Sequence, residues 1–211
     1  MAPKKKTPAR KRAPKLELAS SVVELKLDLG SGQSPREGYE GVDLHAPNAK
    51  HRVHLWNGES WPWADSTVDA LHASHVIEHI DALYLNILDD KGVHVRQVDA
   101  LMFFFSEAWR VAKPGAKFTL IWPALQNVRA FQDPTHRRFI PMQLMGYLDK
   151  NCREMNKIDH YLGGCDWVME SCAPTTTPDN ALKHKDVQLA KFVEDWGFSE
   201  DFHATLVCRK A

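Results

Sequence analysis

The stretch Asp28-Leu29-Gly30-Ser31-Gly32, followed by Asp43 about thirteen residues after Gly30, combines two features that hold a polar small molecule. Glycines let the backbone approach a ligand without a Cβ in the way, and a carboxylate accepts hydrogen bonds from hydroxyls. A second group of residues could move protons. His75, His79 and His136 titrate near neutrality and Asp133 is an alternative base. His75-Val76-Ile77-Glu78-His79 also spells H-x-x-E-H, in which two histidines one helical turn apart would face a zinc ion with Glu78 as general base, the chemistry of a zinc hydrolase.

The glycine loop excludes two ligand classes. A dinucleotide fingerprint needs a third glycine and an acid roughly twenty residues on; here the third position is Pro35, and the acid, Asp43, comes early. A P-loop is excluded because no Gly-Lys-Ser/Thr follows. S-adenosylmethionine asks for something else: no phosphate cradle, but a close backbone approach for its amino-acid part and a carboxylate for its ribose hydroxyls. Asp43, at the end of a short strand, can supply that carboxylate, or act as a turn acid.

These residues must be positioned by strands and helices. Val22 to Leu29 reads as a first strand running into the glycine loop, Tyr39 to Leu44 as a second, His51 to Leu55 as a third and Val68 to Ala73 as a fourth. Ser74 to Leu88 looks helical, and the apolar spacing of Val95, Val98, Leu101, Met102, Phe105, Ala108, Trp109 and Ala112 predicts an amphipathic helix over 95–112. Lys113-Pro114-Gly115 would stop it, and Lys117 to Trp122 is the next strand. Strands alternating with helices predict an α/β fold, an open, mainly parallel sheet with its ligand site beyond the strands' carboxyl ends. Residues 123–180 are less regular and read as an insertion or lid forming the acceptor pocket. Lys191 to Arg209, with a strand over Ala204 to Arg209, would close the sheet.

The 211 residues suit one domain with a tail. Formal net charge is zero, yet residues 1–15 carry Lys4, Lys5, Lys6, Arg10, Lys11, Arg12 and Lys15 and no acid, so the remainder is net acidic. With almost no apolar residues the tail is expected to be disordered, either as a solubilising arm or as a contact for nucleic acid or an acidic surface; residues 16–211 form the folded domain. Cys152, Cys165, Cys172 and Cys208 form no C-x-x-C pair and read as ordinary free thiols. Without a signal-peptide core or an apolar run that spans a bilayer, the expected setting is cytoplasmic, with no membrane partner.

Read in order, Leu27-Asp28-Leu29-Gly30-Ser31-Gly32, Gly41-Val42-Asp43-Leu44, Trp61-Pro62-Trp63-Ala64-Asp65-Ser66-Thr67-Val68-Asp69, Ala73-Ser74-His75-Val76-Ile77-Glu78-His79-Ile80 and Arg110-Val111-Ala112-Lys113-Pro114-Gly115 resemble class I S-adenosylmethionine-dependent methyltransferases of the methyltransferase type 11 kind. The resemblance spans about Glu24 to Trp122, and is nearest to a compact branch with a shortened first helix, in which Asp133-Pro134-Thr135-His136-Arg137-Arg138-Phe139 also has a counterpart. It implies a Rossmann-like, seven-stranded sheet with the last strand antiparallel and S-adenosylmethionine at its carboxyl edge. Asp28, Gly30, Ser31 and Gly32 would lie by the methionine part, Asp43 and Leu44 by the ribose, Leu55, Trp56 and Asn57 by the adenine, and Ser74 and His75 near the sulfonium. Relatives usually carry an acid in the loop that here reads Leu55-Trp56-Asn57, so Trp56 would stack on the base or fill core.

His75, Asp133 and His136 are the candidate catalytic residues, and Arg137 and Arg138 could hold an anionic acceptor. The chain lacks both Asp/Asn-Pro-Pro-Tyr/Phe/Trp after the fourth strand and a Pro-Cys loop, which argues against DNA bases as acceptors. Small molecules, sugars and proteins stay open. Two other functions fit parts of the sequence: the zinc hydrolase above, and a methyltransferase-fold binding protein without turnover that meets nucleic acid through its tail.

Overall fold

Leu27 and Leu29 have no exposed surface, and they belong to a strand flanked on both sides: β1 (Lys26–Leu29) pairs in parallel with β2 (Glu40–Val42) and with β3 (Val68–Ser74). The computed structural model describes residues 23–88, 91–92, 94–162, 164–175 and 199–210. The basic tail, the start of the first expected strand and residues 191–198 of the expected closing segment lie outside the described residues. β6 (Ala112–Pro123) continues the parallel set beyond β3; β8 (Asp201–Cys208) then runs antiparallel to β6, and β7 (Trp167–Pro174) antiparallel to β8. The six-stranded order is β2-β1-β3-β6-β8-β7. A separate antiparallel pair is made by β4 (Tyr84–Leu88) and β5 (His94–Asp99).

The expected third strand shrinks to one parallel bridge, Val42 to His51, on the outer edge of β2. The chain is drawn away after it: the Trp61 indole donates to the Leu55 carbonyl (3.2 Å), and the Trp61 N–H donates to a Glu107 carboxylate oxygen (2.7 Å). Among the described residues the main sheet therefore has six strands and a bridge in place of the expected seven strands.

The expected helix over 74–88 does not form. His75 takes a left-handed φ of 55°, which no helix tolerates; only a one-turn 3-10 helix at Ile77–His79 follows, and Tyr84–Leu88 pairs as β4. The second expected helix starts late for a legible reason. Asp99 caps α1 (Ala100–Val111), its Oδ1 accepting from Leu101 N at 2.9 Å, while residues 94–99 pair with β4. Lys113-Pro114-Gly115 does not separate helix from strand. β6 begins at Ala112, opposite Val68, and the register shifts between Val68 and Ala70, so the trio bulges out, with Gly115 at φ 78°.

α1 buries Phe103, Phe104, Phe105 and Ala108. Phe105 and Phe118 of β6 approach to 6.3 Å between ring centroids, Phe118 meets Trp167 of β7 at 5.5 Å, and the Trp167 indole donates to the Phe105 carbonyl at 3.1 Å. Burial in β8 alternates along the strand, as expected of antiparallel pairing. Within 123–180 lie α2 (Arg129–Gln132), a 3-10 segment at Met142–Leu148, α3 (Lys150–Met155) and α4 (Asp159–Leu162). The region read as a lid also contains β7, an edge strand of the main sheet. Arg153, 1% exposed, ties it together through Asp159 Oδ1 (2.8 Å), the Tyr147 carbonyl (3.0 Å) and the Cys165 carbonyl (2.6 Å). All four cysteines are free, and burial raises the Cys165 thiol to about 12 and those of Cys172 and Cys208 to about 11, so these three are poor nucleophiles. No helix among the described residues is long and apolar enough to cross a membrane.

Candidate functional site

The carboxyl ends of β1, β2 and β3 converge on a cleft of about 230 Å³. Its walls come from Gly30 after β1; Asp43, Leu44 and His45 after β2; Val53, His54, Leu55 and Trp56 after the bridge; and His75, Val76 and His79 after β3. Gly30 and Gly32 have φ of 67° and 56°, so the chain turns sharply, and Gly30 N and Ser31 N both donate to the Val42 carbonyl at 2.7 and 3.2 Å. This lays the loop across the end of β2. A Cβ at Gly30 would stand 2.4 Å from Val76 Cγ2, so the residue is glycine for both conformation and space.

Asp43 holds the loop from the other side. Its Oδ2 accepts from Gly32 N (3.0 Å) and its Oδ1 from His45 N (2.8 Å) and Ala46 N (2.9 Å). Burial pushes this carboxyl up, but the N–H donors of Ala46, His45 and Gly32 outweigh burial, so its pKa lies below the ordinary carboxylate value. Asp43 is thus a turn acid and a cleft carboxylate at once. Oδ1 has two donors; Oδ2 has accepted one bond and has capacity for a second.

Asp28 does not line the cleft. It is buried beneath the loop, with Oδ1 2.6 Å from His72 Nδ1 and Oδ2 accepting from Arg36 N at 2.8 Å, so its place is under the ligand space, fixing the turn. Ser31 and Gly32 shape the loop without lining the cleft, Ser74 precedes its wall, and the Asn57 side chain closes a turn onto Glu59 N (3.0 Å). Of the expected cofactor residues, Gly30, Asp43, Leu44, Leu55 and Trp56 face the space. His45, Val53, His54 and Val76 were not anticipated there; each lies within two residues of an expected one, and that proximity was the signal.

His75 lines the cleft. Its Nδ1 lies 3.2 Å from Glu78 Oε1 and its Nε2 3.9 Å from Asp201 Oδ2; the Glu78 hydrogen bond is the main cause of a pKa above the usual histidine value. Asp133 and His136 sit outside the wall, one step behind His79. Asp133 makes an Asx turn, Oδ1 accepting from Thr135 N (2.8 Å) and from the Thr135 hydroxyl (2.7 Å), and this hydroxyl is 3.0 Å from His79 Nδ1. The His79 and His136 rings meet edge to face at 4.7 Å. Arg138 does not reach the cleft: it donates to the Ile80 and Asp81 carbonyls and to Asp99 Oδ2. Arg137 is exposed and donates to the Pro134 carbonyl.

The H-x-x-E-H string is not on an α-helix, so His75 and His79 are not one turn apart on a common face. The donor atoms that do converge belong to Glu78, His79 and His136, all within 4.8 Å of one another. The zinc-hydrolase arrangement expected from the string, with Glu78 free as base, is replaced by one in which Glu78 is itself a candidate ligand.

No protein-family model matches the sequence, and comparison with curated proteins finds no relative. Solved structures do match. A S-adenosylmethionine-dependent methyltransferase from Archaeoglobus fulgidus superposes with a TM-score of 0.50 at 16% identity, over 88% of this chain and 86% of the other. One from Mesorhizobium loti gives 0.47 at 12% identity, over 88% and 92%. The first likeness shows the fold, that of the class I methyltransferases.

Proposed function

We propose that the cleft binds S-adenosylmethionine and that the protein transfers its methyl group to an acceptor entering beside His75. The observation that carries this reading is the cleft's lining: a carboxylate, Asp43, below a left-handed glycine turn, with apolar side chains beside it and, among the described residues, no Lys or Arg in the wall. Such a surface suits a cationic, hydroxyl-bearing ligand and does not suit a pyrophosphate. When bound, the cofactor supplies a methyl carbon already activated by its sulfonium, so catalysis consists mainly of alignment.

The chain's own residues then have defined tasks. Asp43 Oδ2 takes a ribose hydroxyl on its remaining acceptor position. Leu44, Leu55 and Trp56 give the adenine an apolar wall, with Trp56 held by the edge-to-face contact of its ring with His54 at 5.5 Å. His75 Nδ1 is oriented by Glu78, so Nε2, 3.9 Å from Asp201 Oδ2, is the ring nitrogen that receives a proton where the acceptor must lose one. The acceptor's identity, small molecule, sugar or protein, is set by groups beyond this wall.

The test is calorimetric titration of the full chain with S-adenosylmethionine and S-adenosylhomocysteine, beside Asp43→Asn and Trp56→Ala. One site per chain, weakened at least about tenfold by each substitution, supports the reading, since the charge-assisted bond lost at Asp43 is worth about 1.5–3 kcal/mol and base stacking lost at Trp56 about 1–3 kcal/mol. No saturable binding by folded wild type overturns it. Binding without methyl transfer to any acceptor class would instead identify a non-catalytic binding protein.

A further inference from the structure

Two segments far apart in sequence are pinned together behind the cleft. The Glu78 backbone carbonyl accepts from both Arg137 N (2.7 Å) and Arg138 N (3.0 Å), which brings the 133–138 turn against the 3-10 helix at Ile77–His79. The result is the convergence of Glu78, His79 and His136. Glu78 is 2% exposed, and its Oε2 has no hydrogen-bond partner among the described residues, while Oε1 faces His75. A buried carboxylate oxygen without a donor is costly unless a cation or another donor meets it.

The histidines' hydrogen bonds point the same way. His136 Nδ1 lies 2.9 Å from the Ala130 carbonyl, which can only accept, so Nδ1 carries the proton and Nε2 keeps its lone pair. Thr135 spends its hydroxyl proton on Asp133 Oδ1, so its oxygen accepts from His79 Nδ1–H, and His79 Nε2 likewise keeps a lone pair. Each imidazole therefore donates one ring N–H to an oxygen acceptor and presents the other nitrogen, the arrangement that fixes metal-binding histidines. The second acceptor is itself backed by a carboxylate. Asp133 Oδ2, 4.0 Å from His136 Nε2, adds negative charge.

We propose that Glu78, His79 and His136 form a three-ligand site for a divalent transition-metal cation such as zinc, which takes two imidazoles and a carboxylate. Zinc–ligand bonds of about 2.0–2.2 Å put tetrahedral ligand atoms roughly 3.4 Å apart, so donors now within 4.8 Å of one another close by up to about 1.4 Å on metal binding. Three protein ligands leave one position open. Because His79 also lines the cleft, an open position on that side could be taken by an acceptor's oxygen or nitrogen.

The experiment strips the full-length protein with a chelator and titrates it with Co²⁺, read by visible absorption, and with Zn²⁺, read by competition against a chromophoric chelator. Wild type is expected to bind one equivalent. His136→Ala and Glu78→Gln should weaken binding by more than tenfold, Thr135→Val, which removes only a supporting bond at an exposed position, by about tenfold, and His54→Ala, on the cleft's other wall, not at all. Circular dichroism identifies any variant that fails to fold, and Thr135→Val carries the test in that event. Substoichiometric binding by wild type, or affinity indifferent to His136→Ala and Thr135→Val, overturns the site. S-adenosylhomocysteine titration without metal separates this outcome from failure of the cofactor reading.

Discussion

Replacing Gly30 by alanine should destabilise the protein by two separable effects, and a second substitution should undo one of them. The φ of 67° costs an L-residue about 1–2 kcal/mol, whatever the surrounding space. The new Cβ would stand 2.4 Å from Val76 Cγ2 and 3.2 Å from Cγ1, both on a β-branched, buried side chain that cannot swing away, adding about 1–3 kcal/mol of overpacking. Gly30→Ala alone should thus lose about 2–5 kcal/mol, and Val76→Ala alone about 1–3 kcal/mol for its two methyl groups. In the double variant the nearest remaining atom is the residue-76 Cβ at 3.4 Å, an ordinary contact, so the overpacking vanishes and only the φ cost and the lost methyls remain. Urea unfolding of the four proteins, at unchanged m, should give a coupling of about 1–3 kcal/mol in favour of the double variant. Losses that add to within about 0.5 kcal/mol would refute the claim that Gly30 is excluded by Val76 and leave backbone conformation as the sole reason for the glycine.

Asp28→Ala leaves His72 Nδ1 and Arg36 N without their acceptor in a buried place and should cost about 2–5 kcal/mol in chemical unfolding, with Asp28→Asn, which retains an acceptor oxygen, costing clearly less. Arg153→Met strands the Tyr147 and Cys165 carbonyls and should cost about 2–4 kcal/mol in the same assay; an unchanged midpoint would show that residues 142–165 are held by packing alone. Because the folded-state pKa of Asp43 lies below its ordinary value, its contribution is full above the unfolded carboxyl pKa near 4 and is lost as pH falls through the lower folded value. The stability gap between wild type and Asp43→Asn should therefore be constant from pH 7 to about 5 and shrink below about 4; a gap that persists at pH 3 would contradict the assigned N–H donors.

The parts of the fold that were legible are those decided within a few residues. Glycines at 30 and 32 announce a left-handed turn, Asp43 sits where a strand must end, and the 3.6-residue spacing of Leu101, Phe105 and Ala108 marks α1. Its true start was legible too, since Asp99 is a good capping residue, although the apolar positions before it extend the helical pattern. The errors arose where a distant partner overrides local preference. Residues 84–88 have a composition that either a helix or a strand could use, and the pairing with 94–99 decides for strand. His51 to Leu55 alternates well enough for a strand, but Trp61 and Glu107 pull it off the β2 edge.

By itself the sequence determined the chemical vocabulary of the site and its order along the chain: a glycine turn, a carboxylate after β2, histidines after β3. Backbone conformation and hydrogen-bonding capacity are properties of single residues and their near neighbours, so they can be read from a string. Only the tertiary structure decided which of those groups meet. Asp28 and His72 lie 44 positions apart and Thr135 and His79 lie 56, and each pair is brought together by parallel crossovers and by the return of the 133–138 turn. That is why Asp28 is under the loop instead of in the cleft, and why Glu78, His79 and His136, not His75 and His79, share a common centre: contact is fixed by chain topology and packing, which no local pattern encodes.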